Sequence, residues 1–428
     1  MNFLVELLQR TGLRLYSTFA MTQNTRILRC DPTSIRFNND VPHISDEKTL
    51  EALQCAASTL HDLQPIAFPT ETVYGLGALA LNTVAASRIY STKGRPPDNP
   101  LIVHVSSRDM LQRLLPPSYT ISPTYEILMN NFWPGPLTLL FPTNTSLVPT
   151  IITAGQPTVA IRMPSHPVAR ALIAIADAPL AAPSANSSGK PSPTRAEHVF
   201  RDLEGKLDII LDGGVCGVGL ESTVVDGLNP DGNLRVLRPG GVTVEDLEEV
   251  LEKELEKGQS RPKVLVYRRD YRDEAIEQAP TTPGMKYRHY SPSVPVILML
   301  THSHPPAELS RLSPLALVNS LRTSLSSTSH PKIGILTPSD SPLLRELTNV
   351  SGIEWHRYAL GLLADPASTA QRLFDGLLTL EQEGVDLILI EEVREEREGL
   401  AIMNRVKKAA GETVYVEVKA GHLRQEPS

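Results

Sequence analysis

Short apolar runs, closed by glycine, proline or small polar residues, alternate along this chain with stretches in which apolar residues return every three or four positions. Leu50, Leu53, Ala57 and Leu60 keep the helical interval behind Ser45, Asp46 and Glu47, which predicts a helix opening there. Asn82 predicts the cap of a second helix, with Ala85, Ile89 and Tyr90 facing inward, that delivers the chain to Lys93. Further helices are expected from His166 to Ala176, from a cap at Thr194 through RAEHVFRDLEG, and from a cap at Thr243 through the acidic VEDLEEVLEKELEKG. Between them Ile66–Phe68, Leu101–Val105, the run ending LTLLF at Phe141, Thr158–Arg162, LDIILD, STVVD and RVLR read as strands. Beyond Pro292 the runs VPVILML, KIGILT and VDLILIEEV alternate with helical stretches near 306–322 and 366–383, and a helix GLAIMNRVKKAA precedes the strand TVYVEV. That βαβ rhythm implies a second, parallel-sheet domain.

The polar interruptions carry the candidate chemistry. In STKGRPPDNPLIVHV, Lys93 and Arg95 stand on a backbone stiffened by Pro96, Pro97 and Pro100, directly ahead of a strand. Cations held that way meet a polyanion without first ordering a loop, whereas KGR alone is as well explained by a surface turn. Thr70, Thr72 and Tyr74 lie beside Gly75 and Gly77, a turn suited to a small polar ligand but lacking the third glycine of a dinucleotide site. Arg162 ends an apolar strand and requires an anionic partner, either a ligand carboxylate or an internal acid. Ser184, Asn186 and Gly189 precede the helix expected at Thr194, and a helix N-terminus behind such a loop is an anion site. Arg238 ends another strand. Phe132 and Trp133 fit core packing better than a nucleobase platform. In open α/β sheets, ligands gather where such strand ends meet.

At 428 residues, two domains, or one large domain with an extension, are expected. The chain is 41% hydrophobic and 21% charged, and it has no apolar run near the ~20 residues of a membrane span. A net charge of -7 argues against a protein coated in nucleic acid, while leaving room for local basic patches. Cys30, Cys55 and Cys216 are far apart and lack ligand or CxxC spacing, so they read as reduced thiols and no zinc site is expected. Residues 1–40 read as an N-terminal extension, and the first 30 are set apart by composition. Arg10, Arg14, Arg26 and Arg29 against the single Glu6, with Leu4, Leu7, Leu8 and Leu15, resemble a mitochondrial presequence, and a start at Met21 would leave a cytosolic form; a frayed cytosolic terminus is the other reading. Residues 258–293, rich in Gln, Pro, Arg and Tyr, read as a linker whose PGMKYRHYSP suits a lid over a nucleotide or an RNA-contacting strap.

Taken together and in order, PTETVYGLG, KGRPPDNPLIVH, PGPLT, APSAN with its downstream SPT, ESTVVDG and LRPGG resemble the YrdC-like domain of threonylcarbamoyl-AMP synthases, and PGMKYRHYSP with a smaller α/β domain is similar to the long form of that family. The resemblance implies an α/β fold: an open, twisted YrdC-like sheet over 41–257, and a Rossmann-like parallel-sheet domain over 294–428. It implies the joining of L-threonine, bicarbonate and ATP, with Mg²⁺, into L-threonylcarbamoyl-adenylate and pyrophosphate, for threonylcarbamoyladenosine in tRNA. By motif match, Lys93 and Arg95 are implied to be catalytic. Thr72, His104, Arg162, Ser184 and Ser222 are implied to hold threonine, and Arg95, Asn99, Thr158, Asn186, Thr194, Arg238 and Tyr290 to hold ATP. His104 fits a ligand-orienting role better than a general base. A downstream threonylcarbamoyl transferase and tRNA are the implied partners, with no membrane, and a monomer is expected. Leu79 departs from the family's GLGADA, which leaves the implied activity unchanged. A YrdC-like RNA-binding module without synthase activity is the competing reading.

Overall fold

The computed structural model describes residues 24–255, 261–273, 289–325 and 330–418. The presequence-like segment up to Gln23 and the Pro283–Arg288 part of PGMKYRHYSP therefore lie outside the described residues.

Among the described residues, the first domain is built on β1 (Arg26–Arg29), β2 (Ile35–Asn38), β3 (Val41–Ile44), β4 (Ile66–Phe68), β5 (Gly75–Leu79), β6 (Ile102–His104), β7 (Leu137–Pro142), β8 (Thr158–Arg162), β9 (Leu180–Ala181), β10 (Ile209–Asp212), β11 (Thr223–Asp226), β12 (Leu234–Arg238) and β13 (Val264–Val266). All but the β2–β3 hairpin join one mixed sheet in the order β1-β10-β4-β5-β9-β6-β8-β7-β11-β12-β13. The sheet takes in both flanks that composition had set apart. Arg26 and Arg29 belong to an edge strand parallel to β10, and Val264–Val266 extends the opposite edge beside β12.

Helix starts follow short polar side chains, with two displacements from the sequence pattern. Asp46, not Ser45, caps Glu47–His61 by accepting from Thr49 N at 2.8 Å. Thr194 caps nothing. The helix it precedes begins at Ala196 with Arg195 at the cap position and no side-chain cap, so the anion site expected behind that N-terminus loses its capping residue. Asn82 and Thr243 cap as expected, the latter in a reciprocal capping box with Asp246. Gly77 is a packing glycine: a Cβ there would stand 2.5 Å from the Phe68 ring, so the close approach it permits is to the core. Tyr74 likewise turns away from any ligand, its hydroxyl donating to Gly214 O at 2.7 Å. Trp133 and Phe132 pack in the core around Phe141, and Trp133 Nε1 donates to Leu137 O at 2.7 Å. Leu79 is half-buried against the same core.

The second domain is a parallel sheet, β16-β15-β17-β14-β18, of β14 (Val296–Leu300), β15 (Lys332–Thr337), β16 (Glu354–Ala359), β17 (Leu387–Glu391) and β18 (Glu412–Tyr415). Its two faces bury separate clusters, one around Leu298, Ile388 and Ile390 and the other around Ile297, Met299 and Leu389, as helices on both sides of a parallel sheet require. The strand EWHRYA had no apolar run to reveal it, because it is the half-exposed edge. The helix after β14 starts at Pro314, later than the pattern near 306 suggests. The two domains share a core: Val73 and Leu220 of the first pack with Tyr290, Leu373 and Phe374. Gly219 lies so close to the second domain that a Cβ would stand 2.4 Å from the Gln371 backbone. No helix among the described residues is long and apolar enough to cross a membrane.

Candidate active site

The polar loops of the first domain converge on a cavity that Tyr290 also lines. Lys93, Arg95, Thr72, His104, Arg162, Ser184, Asn186, Ser222, Arg238 and Tyr290 all line it. Asn99, Thr158 and Thr194 do not. Asn99 is buried behind Arg95, whose Nε donates to its carbonyl at 3.2 Å. Thr158 opens β8 while Arg162 closes it, which separates the two by about 13 Å at ~3.3 Å per residue. Thr194 is buried two residues beyond the lining Ser192, and its backbone N–H donates to His198 Nδ1 at 3.3 Å.

Each lining group is held by its local structure. Lys93 is the last residue of the helix Thr83–Lys93, closed by Gly94 at φ 61, rather than part of a loop before β6. The helix end is an electronegative place where a cation is favoured. Its ammonium donates to the carbonyls of Ser184 and Asn186, and Ser188 N returns a bond to Lys93 O at 2.8 Å, so the Ser/Asn/Gly loop is folded around it. Burial, and then the neighbouring Arg95, hold its pKa well below the ordinary lysine value. Two neutral carbonyls do not discharge it; an anionic ligand would. Arg95 Nη2 donates to Pro100 O at 2.9 Å, so the proline-stiffened turn does fix the second cation. Arg238, at the end of β12, grips Ser222 through its carbonyl at 2.9 Å and its hydroxyl at 3.1 Å. Gly240 permits this, since a Cβ there would stand 2.3 Å from Glu221 O.

Also lining the cavity, Arg162 Nε donates to Gly135 O at 3.2 Å, Nη1 to Thr72 Oγ1 at 2.9 Å, and Nη2 to the carboxylate of Glu71. The internal acid that the sequence left open is thus Glu71, itself anchored by Ser165 N at 3.1 Å. A guanidinium carries five N–H donors, so two remain for a ligand carboxylate after these three. Thr72 is set by Thr70, with 2.8 Å between their hydroxyl oxygens, and Ser222 by Thr138 at 2.7 Å.

His104 is fully enclosed beside Arg162, its Nδ1 3.2 Å from Ile102 O. Burial first, and Arg162 second, lower its pKa from 6.5 to about 3. The imidazole is therefore neutral above about pH 5 and has almost no affinity for a proton at neutral pH, which favours orienting a ligand over general-base work. Between about pH 5 and 8, activity should show no limb from His104. The pH profile of His104→Gln should keep the wild-type shape at reduced kcat; a limb near 6.5 that vanishes in this variant would refute the assignment.

Glu221 and the residue that pairs with it escaped sequence reasoning, as did Lys190 and Ser192 of the lining. Glu221 is the sole carboxylate lining the cavity among the described residues; it accepts from Ser192 Oγ at 2.6 Å and lies 3.0 Å from Arg405 Nη2 of the second domain. Arg405 is wholly buried. The signal was available: in GLAIMNRVKKAA it falls on the same helical face as Ala401, Ile402 and Ala409, where a charge requires a partner. Among the described residues no group of three or more His, Cys, Asp or Glu could hold a metal ion.

A family model described as "Telomere recombination" matches residues 58–240, and one described as "Threonylcarbamoyl-AMP synthase, C-terminal domain" matches 242–411. The threonylcarbamoyl-AMP synthase of Schizosaccharomyces pombe is 42% identical over 422 residues, covering 92% of this chain and 97% of the relative. That of Pyrococcus abyssi is 41% identical over 359 residues, covering 84% and 94%. Among solved structures, P. abyssi Sua5 complexed with L-threonine superposes with a TM-score of 0.69 at 35% identity, covering 92% of this chain and 100% of the other. With both domain models matched end to end and relatives this similar along their whole length, the chain belongs to the threonylcarbamoyl-AMP synthase family.

Proposed function

We propose that this protein condenses L-threonine, bicarbonate and ATP into L-threonylcarbamoyl-adenylate and pyrophosphate. The observation that carries the reading is the content of one cavity: a buried arginine with two donors to spare among hydroxyls, together with Lys93, Arg95 and Arg238 on rigid supports. Arg162 takes the threonine carboxylate, and Thr72, Ser184 and Ser222 face its side chain and amine. CO₂ derived from bicarbonate adds to the amine to give a carbamate. A carbamate oxygen then attacks the α-phosphorus, forming the new P–O bond as the bond to the β-phosphate breaks and pyrophosphate leaves with the electron pair. Lys93, Arg95 and Arg238 hold the phosphates and take up the charge that develops on the leaving group. No side chain is placed as a covalent nucleophile among those lining the cavity, so positioning and electrostatics carry the rate.

Mg²⁺ belongs to this reading as the companion of ATP. Glu221 has one oxygen on Ser192 and the other on Arg405, so the cavity offers the ion no uncommitted carboxylate. The ion would ride on phosphate oxygens and water, neutralising charge on the departing pyrophosphate. The product, a mixed carbamic–phosphoric anhydride, demands a transferase that passes the threonylcarbamoyl group to a tRNA adenosine, and that transferase and tRNA are the proposed partners.

The test is pyrophosphate release by the full chain with ATP, Mg²⁺ and bicarbonate, comparing L-threonine with L-serine and with no amino acid. Release that needs bicarbonate and is at least tenfold faster with threonine is expected. Salt-sensitive tRNA binding without any threonine-dependent release would overturn the reading in favour of a binding module.

A further inference from the structure

The second domain is bound into the cavity through one side chain. Arg405 lies on the helix Glu398–Ala409 and is wholly buried, yet each edge of its guanidinium meets a different loop of the first domain. Nε and Nη2 reach Glu221 Oε2 at 3.1 and 3.0 Å. Nη1 donates to Pro239 O, the residue after Arg238. Its Cζ stands 5.8 Å from the ring centroid of Tyr290, which packs its other neighbour, Phe374, at 5.2 Å. Three cavity segments, ESTVVDG, LRPGG and the Tyr290 segment, are thus tied to one cation from outside the domain that carries them.

We propose that Arg405 is a positioning residue for the nucleotide: it pairs directly with Glu221, which Ser192 holds from the other side, and fixes the Arg238 loop and Tyr290 around the ATP. The reason is electrostatic. A carboxylate lining a cavity that also contains Lys93, Arg95 and Arg238 would otherwise serve as their counter-ion and compete with the triphosphate for them. With Oε1 on Ser192 and Oε2 on Arg405, Glu221 balances those cations only in part, and the remainder of their charge is left to the ligand. Threonine binding should be affected less, because Arg162, Thr72 and Glu71 form their own hydrogen-bonded unit, and Ser222 is the threonine-facing residue that Arg238 links to the Arg405 contacts.

This inference rests on the ATP-and-threonine reading above, and its test separates the two. Binding of ATP and of L-threonine is measured separately by calorimetry on the full chain, with kcat and KM for each, for wild type, Arg405→Lys, Arg405→Met and the double variant Arg405→Met/Glu221→Gln. The double variant removes the buried acid along with its partner, so its melting temperature should stay near wild type even if Arg405→Met alone unfolds. Arg405→Met should weaken ATP binding by at least tenfold while threonine binding changes by less than about threefold; Arg405→Lys should recover part of the loss, and so should the double variant, which removes the competing carboxylate but not the lost ties to Pro239 and Tyr290. Wild-type ATP affinity in Arg405→Met, or in Arg405→Lys where the methionine variant does not fold, would overturn the positioning role, as would a folded double variant that binds ATP no better than Arg405→Met, or equal losses for ATP and threonine. A wild-type chain that binds neither ligand would overturn the functional reading itself.

Discussion

Replacing Lys93 by methionine is expected to lower kcat/KM for ATP by about 10³-fold while moving the melting temperature by no more than a few degrees. The two halves of this expectation have one origin. Lys93 is a buried ammonium whose hydrogen-bond partners are the carbonyls of Ser184 and Asn186, and burial holds its pKa well below the ordinary value. A depressed lysine pKa means that folding disfavours the charged form, so the native state gains stability as pH rises through that pKa toward 10.5. Removing the charge therefore relieves a cost that offsets the two donors lost to the carbonyls, each on the order of 1–3 kcal/mol. In the complex the balance reverses, because the triphosphate supplies the counter-charge the protein withholds. Steady-state kinetics beside a thermal melt decide the matter. A variant that stays active, or one that loses activity only by unfolding, would show that this cation is structural.

Arginine 162 should be as selective for the other substrate. Arg162→Lys is expected to raise KM for L-threonine by about 10²-fold and to leave KM for ATP within about threefold, since lysine keeps the charge opposite Glu71 but loses the planar fork. The guanidinium satisfies Gly135, Thr72 and Glu71 and retains two N–H groups for a carboxylate; three ammonium donors cannot satisfy those contacts and a bidentate ligand as well. Alanine is the poorer probe, because it would strand Glu71 as an uncompensated, largely buried charge and confound binding with stability. Equal losses for both substrates would place Arg162 outside the threonine end.

What could be read from the residues in order was the part that is local. Strands ending in Arg162 and Arg238, helices capped by Asn82 and Thr243, and the prolines behind Arg95 are each decided within a few positions, where spacing and turn chemistry act. What stayed hidden depends on distant partners. Tyr74 looks like a ligand hydroxyl until β5 brings it to Gly214. Thr194 looks like a cap until the chain leaves Arg195 in that position. Thr158 shares a motif-rich strand with Arg162 but stands at its opposite end, outside the residues that line the cavity. The clearest case is Glu221 with Arg405. They are 184 positions apart and lie in different domains, so only an arginine on an apolar helical face hinted that a buried acid awaited it. Similarly, an edge strand such as Glu354–Ala359 carries no apolar run because one of its sides has no neighbour to bury it.

The central claim is that one cavity assembles three reactants into a single adenylate, and double labelling tests it most directly. The full chain is incubated with Mg²⁺, L-threonine, ¹⁴C-bicarbonate and ATP labelled at the α-phosphorus, and the products are separated quickly because the anhydride hydrolyses. One threonine-dependent species carrying both labels in equal amounts is expected, with the Lys93→Met variant yielding none. If the α-phosphorus label is released as AMP or ADP without ¹⁴C in any product that depends on threonine, the cavity binds nucleotide but does not make the threonylcarbamoyl-adenylate, and the account fails.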